Sequence, residues 1–288
     1  MPAPNLESLP ETPRVVAVDL DGTLLPLVVD GTQALTPLTI AAVRVLDRIG
    51  ITTILVTGRM FHSAARYARE LGLEGPVVTY QGALIRELGT GRVLLHDPLP
   101  LGLTREILGF LEPNPFSVNL YIDDELYVAR RRAEVDLYER LSGIKANVVG
   151  RLSDYLHRPT TKIGVAGEPE AIDALLGTVR ERFRGRLIAV KTWPFFLEIT
   201  SPTATKARAL ALLGERLGFK ASEVLAFGDS YNDCDMLAWA GQGVAMGGSP
   251  PEVVAAADAV CGPVGEDGFA HYLMRQPWFP AGTLNTHW

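Results

Sequence analysis

The sequence predicts an α/β fold, a doubly wound parallel sheet interrupted by an inserted α+β segment. Three observations carry this reading. Short apolar, β-branched runs alternate with helical patterns near the N-terminus. The same alternation returns near the C-terminus, and the stretch between reads as hairpins mixed with helices.

Val15–Val18, an apolar run between Pro13 and the Asp19–Gly22 turn residues, predicts a parallel strand buried on both faces. A helix follows with clear punctuation. Thr36 is its candidate N-cap, Pro37 its first residue, and Gly50 lies past its end. Leu38, Ala42, Val45, Leu46 and Ile49 recur at helical spacing. Residues 51–56 predict a second strand, 63–71 a helix and 77–80 a strand. Near the C-terminus, 206–217 predicts a helix, 224–227 a strand, 233–240 a helix and 243–246 a strand.

The middle differs. Residues 116–131 look like a hairpin turning at Asp123-Asp124, followed by helices over 133–141 and 170–183 with a strand at 161–166 between them. Strands near 187–191 and 195–199 close it. The expected division is a core of 1–86 and 196–288 with an inserted domain over 87–195.

The chain has 288 residues, 47% of them hydrophobic, and a formal net charge of −6. That content supports a full core. The sequence has no apolar run of 18 residues, the length a spanning helix needs. Its polar, Pro-rich start, residues 1–14, reads as a frayed leader and not a signal peptide. Cys234 and Cys261 are too few for a disulfide framework, so a cytoplasmic location is expected. Arg130-Arg131-Arg132 reads as a solvated edge, which makes nucleic acid a poor partner, and no membrane partner is expected.

Chemistry concentrates at strand ends. Asp19-Leu20-Asp21-Gly22-Thr23 follows the first strand, so two carboxylates sit at the carboxyl end of a parallel strand, where open α/β sheets bind ligands. They repel each other, and a divalent cation would relieve that. An acidic turn is the plainer reading. Gly228-Asp229-Ser230-Tyr231-Asn232-Asp233 also follows a buried strand, placing Asp229 in the position equivalent to Asp19. Asp233 falls in a first helical turn, where the helix dipole alone favours an acid. Thr57-Gly58-Arg59 offers a hydroxyl and backbone N–H groups after the second strand, suited to a phosphate oxygen. Lys206 opens a helix, against the dipole; a solvated lysine is its plainer reading.

These four signals, in this order and at one end of the sheet, resemble the motifs of the haloacid dehalogenase superfamily of phosphohydrolases. The branch is the Cof-type one, with a Rossmann-like core and a large α+β cap of the C2 type. DLDGTLL at Asp19–Leu25 resembles that family's first motif and VTGR at Val56–Arg59 its second. Lys206 resembles the third, and GDSYNDCDML at Gly228–Leu237 the fourth. The chain departs from the usual pattern at Ala207, at Gln81-Gly82-Ala83 and before Glu266-Asp267-Gly268.

The resemblance implies a magnesium-dependent phosphatase of small metabolites, a sugar phosphate being the favoured class. Asp19 would be the nucleophile and Asp21 the general acid and base. Asp19, Asp21 and Asp229 would hold Mg2+, with Asp233 binding it directly or through water. Thr57, Gly58, Lys206 and Asn232 would hold the phosphoryl group, and Arg59, Gln81 and Lys162 are candidate substrate contacts. For Lys162 a solvated strand position is the plainer reading. A phosphotransferase or mutase of the same superfamily, or a non-catalytic phospholigand sensor, is the alternative.

Overall fold

The computed structural model describes residues 12–27 and 33–283. Its central sheet is parallel, in the order Ala259–Val260, Gln242–Ala245, Val224–Gly228, Val15–Val18, Thr52–Leu55. A parallel bridge between Val56 and Val78 continues it towards Pro76–Thr79. Val15–Val18 is buried at every position and pairs with Val224–Phe227 on one side and Thr52–Leu55 on the other. That register sets the ends of strands distant in sequence side by side.

Helices cover both faces. Pro37–Arg48 starts where its punctuation predicts, with the Thr36 hydroxyl accepting from the Thr39 amide at 3.0 Å. Leu38, Ala42, Val45 and Leu46 are buried, as their spacing demands. Lys206–Leu217 matches its predicted bounds, capped by Thr205 at one end and by left-handed Gly218 at the other.

The inserted segment is a six-stranded sheet, in the order Ile188–Trp193, Phe196–Thr200, Lys162–Ala166, Ser117–Ile122, Glu125–Val128, Ala146–Val148. Its hairpin turns at Asp123 and Asp124, both at positive φ, the conformation that a tight two-residue turn requires. Helices Leu101–Leu111, Ala133–Ser142 and Pro169–Arg182 accompany it.

Two strands fall across the expected boundaries. Phe196–Thr200, counted with the core, hydrogen-bonds inside the six-stranded sheet. Val93–His96, counted with the insert, pairs with Leu84–Glu87 in a separate three-stranded sheet. A composition change marks neither edge, because strands of both sheets are apolar.

The leader lies mostly outside the described residues, but its end is ordered: the Arg14 amide donates to Glu223 O at 2.9 Å and its carbonyl accepts from Thr52 N at 3.0 Å. Arg131 is bound to Asp136 and Glu139, and Arg132 donates to Pro115 O at 2.7 Å, so those two cations serve local structure. Among the described residues no helix is long and apolar enough to cross a membrane.

The helix predicted from Ser63 begins earlier, at Phe61, because its cap comes from elsewhere. Met60 has no capping side chain. Instead Asp124, at the tip of the inserted hairpin, accepts from the Phe61 amide at 2.9 Å and the His62 amide at 3.0 Å. Tyr80 donates its hydroxyl to the same carboxylate at 2.7 Å, and the His62 ring lies 2.7 Å away. Burial and the Asp124 charge push the Tyr80 phenol well above its ordinary range. Asp124→Ala would strand these donors and is expected to cost about 1–3 kcal/mol, seen as a lower denaturant midpoint with unchanged m. An unchanged midpoint would show that the contact contributes nothing.

Candidate active site

The parallel register brings Asp19, Asp21, Thr57 and Asp229 to the same sheet end, at the loops following three neighbouring strands. Asp19 continues the first strand's ladder, its amide donating to Phe227 O at 3.0 Å, so its side chain is placed by the sheet itself. Behind it stands Lys206. Its Nζ, 1% exposed as a residue, donates to Asp19 Oδ1 and to Asp233 Oδ1, each at 2.6 Å. The solvated reading of Lys206 is thus overturned: two carboxylates compensate a buried cation that burial alone would neutralise. Burial lowers the Lys206 pKa, but Asp19 and Asp233 outweigh it and hold the amine protonated.

Asp233 does more than open a helix. Its second oxygen accepts the amides of Asp229 and Ser230, each at 3.0 Å, and so shapes the loop that carries Asp229. Asp229 takes a hydrogen bond from the Thr23 hydroxyl at 3.1 Å. Gly22, at φ +84°, passes so close that a Cβ there would lie 2.1 Å from Asp229 Oδ2. Only glycine tolerates both that dihedral and that approach.

Carboxylate oxygens of Asp19, Asp229 and Asp233 lie within 4.8 Å of one another. Asp21 stands to one side of this cluster. Burial, then the neighbouring acids, push the Asp19 pKa up to about 7 against the pull of Lys206, and the same causes push Asp229 up to about 8. One lysine does not neutralise three acids packed this closely.

Asp21 is held from the other side. Arg59 Nε donates to its Oδ2 at 2.7 Å and Nη2 to its Oδ1 at 2.5 Å, a two-point fork. Gln33 joins it, donating to Asp21 Oδ1 at 3.2 Å and accepting from Arg59. Arg59 lines the cleft as a candidate substrate contact would, but its guanidinium is committed to Asp21. Burial opposes the Arg59 charge, and the Asp21 bonds more than restore it.

Lys162 is not the solvated strand residue of the plainer reading: it is 1% exposed, reaches out of the inserted sheet to Gly58 O at 3.0 Å and pairs with Glu198 Oε1 on the neighbouring strand at 2.6 Å. Glu198 continues the chain, accepting from Gln81 Nε2 at 3.1 Å, and Gln81 Oε1 accepts from Asn232 at 2.9 Å. Gln81 sits at φ 60°, an uncommon conformation for a residue with a Cβ. Its amide fills the space where a side chain on Gly58 would be, 2.2 Å from an added Cβ. Thr57 is buried, and its Oγ1 accepts from the Arg59 amide at 3.2 Å, leaving its own proton to donate.

Sequence reasoning missed Glu198 and Gln33. Glu198 had a signal, since it is the one charged residue in Phe196–Thr200, as Lys162 is in Lys162–Ala166. Gln33 had none. These residues surround a cleft of about 150 Å³ between the sheet end and the inserted segment.

A family model described as haloacid dehalogenase-like hydrolase matches residues 16–273. The chain belongs to the haloacid dehalogenase-like hydrolases. A solved structure of this fold, TM0651 from Thermotoga maritima, is 30% identical with a TM-score of 0.80, covering 92% of this chain and 97% of that one. Among curated relatives, the 5-amino-6-(5-phospho-D-ribitylamino)uracil phosphatase YitU of Bacillus subtilis is 27% identical over 91% of this chain and 97% of its own. The pyridoxal phosphate phosphatase YbhA of Escherichia coli is 27% identical over 91% of this chain and 98% of its own. This haloacid dehalogenase-like hydrolase is thus an enzyme whose named relatives are phosphatases.

The donor set of this hydrolase fits a divalent cation: hard carboxylate oxygens, mutually repelling, cradled where Gly22 leaves room. A carboxylate whose pKa is raised on folding stabilises the fold below its ordinary value near 3.8, and that contribution is lost as pH rises towards about 7 for Asp19 and about 8 for Asp229. Cation binding opposes that loss, so the rise in Tm on adding Mg2+ to chelator-treated protein should be larger at pH 8 than at pH 5.5. An equal rise at both values would count against a cation held by these acids.

Proposed function

We propose that this protein is a magnesium-dependent phosphomonoesterase that works through an aspartyl-phosphate on Asp19. The observation supporting this most directly is the buried Asp19–Lys206–Asp233 triad beside Asp229, at a sheet end that opens into the cleft. Asp19, Asp229 and the main chain at Asp21 would hold Mg2+, with Asp233 close enough to bind directly or through water. When bound, the ion supplies positive charge that lets an anionic nucleophile meet an anionic ester.

The residues divide the chemistry in two steps. An Asp19 oxygen attacks phosphorus, the bond from phosphorus to the ester oxygen breaks, and the departing alkoxide takes a proton from Asp21. Water then attacks the aspartyl-phosphate and returns a proton to Asp21, and the Asp19–phosphorus bond breaks to release phosphate. Lys206 has spent two of its three N–H groups on carboxylates and keeps one for a phosphoryl oxygen. Thr57, the backbone N–H of Gly58 and Asn232 would complete that cradle, where transition-state charge is spread. Both Asp21 oxygens are engaged by Arg59, so the fork must give up one of them when the leaving group arrives.

The substrate is a small phosphorylated metabolite, a class to which the named relatives' esters and sugar phosphates all belong. One wall of the cleft is the inserted segment, placed where a cap would limit water at the reacting centre. Cys234 and Cys261 are free thiols, which supports a reducing cytoplasm.

Asp19→Asn is expected to lower turnover on the order of 10³-fold or more. Near-normal hydrolysis by that variant would end the assignment. Asp21→Asn should slow alkyl phosphates far more than 4-nitrophenyl phosphate, whose leaving group needs little protonation; equal losses would remove the acid role from Asp21.

A further inference from the structure

We propose that the leaving group is a planar aromatic or heteroaromatic ring bearing the phosphorylated alcohol, and that Trp193 and Tyr138 are the residues that select it. This rests on the phosphatase reading above and narrows its substrate.

The cleft has two unlike surfaces. Its floor is the carboxylate cluster with Thr57 and Arg59; the side facing it comes from helix Ala133–Ser142 and the turn joining Ile188–Trp193 to Phe196–Thr200. That helix presents Leu137, Tyr138 and Leu141, a single face at helical spacing with Glu134 one turn before them, and the turn presents Trp193, Phe195 and Phe196. Tyr138 stacks on Phe196 with ring centres 5.6 Å apart and planes inclined by 21°. Trp193 and Phe195 lie 5.7 Å apart. Of these six side chains only Phe196 is buried; the others remain half-open towards the cleft. A second ring completes the offset or edge-on contacts that such faces favour.

The polar network of Lys162, Glu198, Gln81 and Asn232 beside the apolar wall points the same way, because its members are occupied by one another. Lys162 is bound to Gly58 O and Glu198, Glu198 to Gln81, and Gln81 to Asn232. Ser63 donates to Ser142 O at 2.7 Å. A polyol placed over this network would give up water at each hydroxyl and find these donors and acceptors already committed, leaving Glu134 and Thr192 as polar side chains at the wall unpaired among the described residues. An aromatic ring asks for none of them. The phosphoryl end still meets the charged floor, so the two halves of such an ester match the two surfaces.

Benzyl phosphate and glucose 6-phosphate test this, since both release a primary alkoxide and differ in what the wall must accept. With Mg2+, kcat/KM for benzyl phosphate should exceed that for glucose 6-phosphate at least tenfold. Trp193→Ala and, separately, Tyr138→Ala should shrink that ratio severalfold, with Trp193→Phe restoring it. A ratio near one, a preference for the sugar, or a ratio unmoved in all three variants would overturn the proposal. Binding of benzylphosphonate and of glucose 6-phosphate to Asp19→Asn protein, followed by calorimetry, decides it independently of turnover. Tighter binding of the ring with no hydrolysis by the wild type would overturn the phosphatase reading and uphold the ring pocket. Hydrolysis of both esters with equal binding would do the reverse.

Discussion

The site depends on a lysine ammonium buried between two carboxylates. Lys206 is out of reach of water, and its charge survives only because Asp19 and Asp233 flank it at 2.6 Å. Removing a charge from water is expensive, and a pair or triad of this kind persists where position matters more than stability. Here position is the consequence. The lysine fixes the Asp19 carboxylate at the end of its strand, while the other oxygen of Asp233 gathers the Asp229 and Ser230 amides. One cation thereby ties together the turn after the first strand, the start of a helix and the loop after the strand Val224–Gly228.

The triad leaves an electrostatic deficit, and that deficit suits the proposed cation site. Asp229 and Asp19 both bind protons more tightly than free carboxylates, chiefly through burial and then through mutual repulsion. A structure selected for stability alone would have no reason to crowd three acids around one base. A site that admits a divalent cation and then a phosphate does, since each arrival offsets charge left by the last.

A second network, built on Lys162 and Glu198, joins the inserted sheet to the loops of the core. Lys162 crosses to the Gly58 carbonyl, and Asp124 caps the helix that follows Arg59. The inserted segment therefore meets the second-strand loop and the helix after it at two polar points. The residues that would grip phosphate and the wall that would meet the leaving group are positioned by the same contacts. Asp21 and Arg59 line the same cleft.

Much of this was legible in the chain. Val15–Val18 and Val224–Phe227 read as buried strands because they are uniformly apolar, and the acids after them read as site residues because a parallel strand's carboxyl end is where such sheets bind ligands. Thr36 and Pro37 marked a helix start through local capping chemistry, which is written within a few residues. Short-range patterns were therefore enough for the alternating architecture and the family, and they singled out the acidic residues as candidates. Folding alone settled that Lys206 and Lys162 are buried, that Glu198 is the counterpart of Lys162 in the cleft, and that the Phe61 helix is capped from Asp124. Those facts concern partners as far as 187 positions apart, and a side chain's solvation is set by what folds over it, not by its neighbours in the chain.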